Sequence, residues 1–285
     1  MRIIKYLIIL SSCLIISCSL VKTAYNKAPE LAIWWLNDYF NFTAEQKTAL
    51  NPLLQKLHSW HRQTQLPIYQ TLLQELQTSF GNEQISALQA CEKIDAVRQS
   101  IRTIQIETIP IIVEMAPLLS DKQLAYFKKK LEKRTEKWKD EWWPQTQAEQ
   151  IKVRQEKTED FAEDVYGDLN DAQLNQLKQS VTYKNIKPEL SYAEIQRRNE
   201  DSFNILSAIQ NPLLTSDEKT QMVKTGFDRL QKSPNQAYQT YADELTKHTC
   251  ETIANLHATT SAKQKLHAKN WLQDYIKQIT ALQEK

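Results

Sequence analysis

The sequence predicts an all-α protein, an elongated multi-helix bundle of about eight to ten helices with no sheet. Three observations predict it. Glycine occurs only 3 times in 285 residues, where an average chain carries about 7%. Apolar residues recur at helical spacing along most of the chain. Short capping motifs precede those stripes repeatedly. With 41% hydrophobic and 25% charged residues the composition is that of a folded protein. So little glycine leaves few primed hairpin turns or phosphate-cradling loops. That argues against sandwiches, doubly wound nucleotide folds and P-loops.

The N-terminus reads as an address. Arg2 and Lys5 supply a positive start, and residues 6–16 form an apolar run too short to span a bilayer as a helix. Ile15-Ile16-Ser17-Cys18 resembles the lipobox of bacterial lipoproteins, whose Cys becomes the lipidated first residue of the mature chain. Leu10-Ser11-Ser12-Cys13 fits the same pattern but leaves only about five apolar residues ahead of it, against roughly 7–15 in a signal segment. Cys18 is therefore the expected lipidation site; the alternatives are an ordinary cleaved signal and an uncleaved anchor. Ser19 follows Cys18, where Asp would retain the chain at the inner membrane. By resemblance to Gram-negative sorting, this implies the periplasmic face of the outer membrane, with acyl chains holding the protein there. Loss of residues 1–17 removes Arg2 and Lys5, leaving 34 basic against 34 acidic residues. A neutral chain gives no support for nucleic acid as a partner.

Residues 18–30 read as a lipidated tether, 31–182 as an N-terminal helical bundle and 183–285 as a C-terminal one, unless the two are continuous. After Pro29 comes an aromatic segment, Trp34, Trp35, Leu36, Tyr39 and Phe40. It is either a short helix packed on the body or an aromatic foot at the lipid interface. Phe42-Thr43-Ala44-Glu45-Gln46 then shows a capping box: a hydroxyl that accepts from an amide three residues on, and a glutamine that reaches back. The pattern returns at Leu119 to Gln123 and Leu169 to Gln173, as a variant at Leu214 to Glu218, and more weakly at Phe80 to Gln84 and Thr260 to Gln264. Ser191 with Glu194 makes one more.

Stripes follow these starts. One runs through Leu50, Leu54 and Leu57, one from Ile85 to Ile104, one through Leu124, Phe127 and Leu131, and the last through Trp271, Tyr275 and Ile279. Prolines 67, 110, 117, 144, 188, 212 and 234 are expected to punctuate the helices, and Pro52 to kink or break one, at a cost of order 3 kcal/mol. Residues 128–141, dense in both signs, read as a solvated helix face. A joint is expected at residues 183–190.

Cys91 and Cys250 remain after processing. An oxidising periplasm permits a disulfide between them. The place of Cys91 on an apolar stripe instead favours two separate thiols, with Cys91 a small core residue.

A search for chemistry returns no G-x-S-x-G elbow, H-E-x-x-H, Walker loop or dinucleotide fingerprint, and no cofactor is expected. The densest cluster of functional groups is residues 58–69. His58 and His61 share a helix face and are weak candidates for a metal pair, with no evident third ligand. The alternatives are a structural role, with Trp60 in the core and His61 and Arg62 bonded to backbone or carboxylates, and a partner-binding patch formed by Trp60, His61, Arg62, Leu66, Pro67 and Tyr69. His248, Cys250 and His257 make a still weaker metal suggestion.

Trp60-His61-Arg62 followed by Leu66-Pro67 and Tyr69, with an early Tyr25-Asn26, Trp34-Trp35 and a lipobox, resembles an uncharacterised family of helical Gram-negative lipoproteins. That family often carries an acidic residue before Leu-Pro; here Gln65 stands there, which removes that partner for Arg62. The resemblance implies a compartment and a helical fold but no activity. The L-T-x-x-Q-like starts are also similar to those of Spy/CpxP-type periplasmic proteins, helical cradles that hold unfolded envelope proteins.

The expected function is that of a non-enzymatic binding, chaperone-like or envelope-assembly factor with an envelope protein as client. The alternatives are a metal-binding stress protein using His58 and His61, and an enzyme acting on cell-wall polymer or lipid.

Overall fold

A computed structural model describes residues 20–82, 84–182 and 185–284; the lipobox and Cys18 lie outside them. Among the described residues there is no strand. Among them, from residue 28 onward, are eleven α-helices: α1 Ala28–Phe40, α2 Ala44–Trp60, α3 Leu66–Gly81, α4 Ala87–Met115, α5 Asp121–Trp142, α6 Gln147–Tyr166, α7 Asp171–Ser180, α8 Pro188–Ala208, α9 Ser216–Gln231, α10 Gln236–Ala258 and α11 Ala262–Gln283. This is one more than the upper end of the expected count. Residues 20–26 are helical as well, and Lys27 bends the chain into α1 while the hydrogen bonds Lys27 N to Thr23 O and Leu31 N to Lys27 O continue across it.

Local chemistry places most of the starts. Thr43, Ser120, Asn170, Thr215 and Ser261 each cap a helix and close a capping box with Gln46, Gln123, Gln173, Glu218 and Gln264. Each cap contributes about 1 kcal/mol. Thr146 with Glu149 is a further box that the sequence reading missed.

Two expected starts are corrected. The helix expected after Asn82 begins at Ala87, capped by Ser86 with Gln89. Ile85 and Ala90 flank that cap and bury in one cluster, a hydrophobic staple that sets the entry point. The helix expected after Ser191 begins at Pro188, whose missing N–H costs nothing at a first helical position. Glu194 is then inside the helix and does not cap it.

Pro52 does not end α2 but lies inside it, and Pro110 lies inside α4. Both prolines are exposed. The carbonyls they leave without a donor, those of Thr48 and Ile106, belong to exposed residues where water can take the missing bond, while Leu50, Leu54 and Ile109 hold the opposite face in the core.

Packing mixes the two halves of the chain. Four clusters of buried apolar residues form much of the core, and each draws on both sides of residues 183–190. Phe42, Leu50 and Leu124 meet Phe203 and Leu206; Ala162 and Leu177 meet Leu256 and Ala268; Ile109 meets Ile209 and Val223; Ile85 and Ala90 meet Cys250. α3 runs antiparallel to α11, with Gln70 beside Thr280 and Gln77 beside Gln273. α4 runs antiparallel to α10, with Arg98 on Thr246 and a disulfide joining Cys91 to Cys250 at a Cα separation of 5.4 Å. The two cysteines are thus bonded, which corrects the reading of Cys91 as an isolated core thiol: the antiparallel register brings it onto the fully buried Cys250.

Candidate functional site

The cluster at residues 58–69 is built around a wide turn. Pro67 cannot donate a backbone bond and its ring crowds the carbonyl four residues back. The chain responds with a π-helical turn, His61–Gln65, in which Leu66 N–H reaches the carbonyl of His61 and α2 passes into α3 without an interruption. π turns of this kind concentrate at functional positions. Leu66 and Gln65 are both buried, Pro67 is exposed, and Trp60 is half-buried.

Residues 25 and 26 occupy the face this turn presents. The Tyr25 hydroxyl lies 2.9 Å from Nδ1 of His61. The Tyr25 ring sits 4.7 Å from the His58 ring, and the Arg62 guanidinium lies 5.2 Å from the same Tyr25 ring. Arg62 Nη2 donates to Asn26 Oδ1. Tyr69 closes the other side, edge-on to His61 at 5.5 Å. His61 and Arg62 therefore bond to side chains of the N-terminal segment, not to the backbone or carboxylate partners expected for a structural role. The Tyr-Asn and Trp-His-Arg elements, 36 residues apart in sequence, form one clamp.

Burial sets the charge state of the clamp. It pushes His61 below its ordinary value, with the neighbouring His58 adding to the effect, and it pushes His58 down together with the positive charge of Arg62. Burial pushes the Tyr25 phenol up, against the hydrogen bond and charge of Arg62. Neutral histidines and a protonated phenol suit the geometry, since Nδ1 of a ring protonated at Nε2 accepts from the Tyr25 hydroxyl. Three atoms here, His58 Nε2, Arg62 Nε and Gln65 Oε1, are buried without a hydrogen-bond partner among the described residues. Nδ1 of His61 is engaged by Tyr25, and no group of three His, Cys, Asp or Glu able to hold a metal occurs among the described residues. The other metal suggestion is taken apart by its partners. Cys250 is in the disulfide, His248 faces Thr252, and His257 is held between the Tyr166 hydroxyl at 2.9 Å and the Asn82 carbonyl at 3.1 Å.

The repeated glutamine motifs have a second role beyond capping. Gln46 and Gln123 donate to each other's side-chain oxygens at 3.1 and 2.7 Å. Gln46 also donates to the carbonyl of Leu118, and Gln123 to that of Asn41. Gln173 and Gln264 repeat the arrangement at 3.1 and 2.9 Å, reaching the carbonyls of Thr259 and Asp168. Each glutamine thus bonds the carbonyl two residues ahead of its partner's cap. All four are buried, and all four amides are satisfied by this exchange.

The buried carboxylate of Glu194 is a third cluster, and sequence reading missed it. Burial pushes its acidity toward the neutral form, but bonds from Arg197, Arg198 and Ser233 outweigh that and hold it at about 2. Arg197 and Arg229 also grip Asp201, tying α8 to α9. These groups partner one another, which suits a structural network.

Two open grooves flank α8. One, of about 640 Å³ between α5 and α8, has Leu124 and Phe203 among its walls and Lys128, Lys129 and Glu132 along it. The other, of about 550 Å³, lies between α8 and α9.

No curated protein matches the chain, and no solved structure does. A family match covers residues 38–214, more than half of the chain, and takes in the whole of the Trp60 to Tyr69 turn together with Gln46, Gln123 and Gln173. On that match the chain belongs to DUF6279, a family of unknown function.

Proposed function

We propose that this chain is a lipoprotein anchored through Cys18 at the periplasmic face of the outer membrane, where it serves as a non-enzymatic binding, chaperone-like or envelope-assembly factor. The clamp carries this reading. His61 and Arg62 grip Tyr25 and Asn26, the segment that follows the proposed anchor, which supports a role in holding the tether. A body held rigidly beside its anchor presents one side of the molecule to whatever it binds. The groove between α5 and α8, apolar in its walls and charged along its length, is the place offered to an extended or amphipathic segment of an envelope protein.

The test is photo-crosslinking in cells from a reactive residue at Ala125, which lines that groove. Mass spectrometry would then identify what is captured. One dominant partner at near-stoichiometric yield means an assembly or adaptor subunit, and many unrelated envelope proteins mean a chaperone. Capture of no protein overturns the binding reading. The anchor is tested separately: Cys18→Ser abolishes palmitate labelling and releases the chain from the membrane fraction.

A further inference from the structure

We infer that the outer face of α1 is a membrane-contact surface, and that Leu31, Trp34 and Trp35 seat in the interfacial layer of the lipid bilayer. α1 is apolar on two sides. Ala32, Ile33, Leu36 and Phe40 pack against the core. Trp34, Trp35 and Leu31 point away from it and are 75%, 51% and 49% exposed. The sequence left a packed helix and an aromatic foot as alternatives; the packing uses one face of the helix and leaves the two tryptophans uncovered.

The exposed residues form a stripe. Leu20, Ala24, Lys27, Leu31 and Trp34 recur at spacings of four and three, all exposed, and Trp35 widens the stripe, its ring tilted against that of Tyr39 at 4.8 Å. Tryptophan and tyrosine favour the headgroup level, and a lysine on such a stripe can extend its amine to the phosphates while its stem stays on the apolar side.

Three facts point to a bilayer as the occupant. Leu20, the first residue of the stripe, comes two residues after Cys18, and this part of the inference rests on the anchoring proposed above. The two helical segments from Leu20 to Trp34, joined at Lys27, span at most about 20 Å at 1.5 Å per residue, so Trp34 stays within reach of the surface that holds the anchor. The clamp at Tyr25 and Asn26 fixes the segment against the body, so the exposed stripe cannot turn inward.

The test is tryptophan quenching. The full lipidated chain is reconstituted in phosphatidylethanolamine–phosphatidylglycerol vesicles carrying brominated acyl chains, alongside a Trp34→Gln, Trp35→Gln double variant. Both positions are exposed, so the variant keeps its helical spectrum. Strong quenching of the wild type, reduced at least two-fold in the variant, supports the inference. Equal quenching of the two, or none, overturns it, and so does a photo-crosslinker at Trp34 that captures a protein instead of lipid. Mass spectrometry of the Cys18 peptide reports the anchor independently. If acyl chains are absent, the anchoring reading fails, and quenching of the unanchored chain at high lipid concentration decides the surface on its own.

Discussion

The Tyr25 hydroxyl lies 2.9 Å from Nδ1 of His61, and this contact joins the segment that follows the proposed anchor to the turn between α2 and α3. Tyr25→Phe keeps the ring against His58 and removes only that bond. The expected loss is about 1 kcal/mol. Arg62→Ala, which removes both the bond to Asn26 and the contact with the Tyr25 ring, is expected to cost more, about 1.5–3 kcal/mol. Urea unfolding of the two variants measures both losses, and limited proteolysis near residues 26–28 should accelerate in each. Arg62→Ala indistinguishable from wild type in both assays would show that the clamp holds nothing.

Burial of the two histidines makes the clamp sensitive to acid. His58 and His61 both sit below the ordinary value of about 6.5, chiefly because burial disfavours the cation. The unfolded chain therefore binds protons first as the pH falls. Their contribution to stability is complete above about 6.5 and is lost as the pH drops through the lower folded value. Stability should decline from pH 7 toward 5, and the slope should be shallower in His61→Gln. His257, buried and likewise held down, acts in the same direction and keeps a residual slope in that variant. Identical pH profiles for wild type and His61→Gln would remove His61 from this account.

The paired glutamines predict a particular pattern of coupling. Gln46→Leu breaks its own capping box and leaves the Leu118 carbonyl and the Gln123 amide short of partners. A loss of about 2–4 kcal/mol is expected from the bonds and the buried groups left unpaired. Gln46→Leu combined with Gln123→Leu should cost clearly less than the sum of the two. Gln46→Leu combined with Gln173→Leu, which lies in the other pair, should be additive within about 0.5 kcal/mol. Thermal unfolding of the three single and two double variants separates the two cases.

The disulfide closes a loop of 159 residues between α4 and α10. Cys91→Ser with Cys250→Ser is expected to lower stability by about 2–5 kcal/mol. The wild-type chain should also migrate faster on a non-reducing gel than after reduction. Equal mobility would mean that the two cysteines do not bond in the cell.

Much of the helical architecture was legible because its causes are local. A cap and its box lie three residues apart, so Thr43 with Gln46 or Asn170 with Gln173 can be recognised without knowing what surrounds them. The Tyr25-Asn26 and Trp60-His61-Arg62 elements were also visible as motifs, but not as a contact. The errors share a cause too. Ser191 and Glu194 satisfy the spacing of a box, yet Pro188 starts that helix earlier and the Arg197, Arg198 and Ser233 partners claim the carboxylate. Pro52 and Pro110 are helix breakers by intrinsic preference, and only their exposure lets water take the carbonyls they orphan.

By itself the sequence determined the helical class and most of the helix starts, because propensity, capping and periodicity act within one or two turns; the clamp residues stood out only as motifs of a family resemblance. Tertiary structure alone decided which distant residues meet: Tyr25 with His61, Gln46 with Gln123, Gln173 with Gln264, and Cys91 with Cys250. Those pairings depend on the register between helices far apart in the chain. Register is chosen by burial of whole apolar faces, and burial is non-directional. It therefore leaves no mark at the individual residues it brings together.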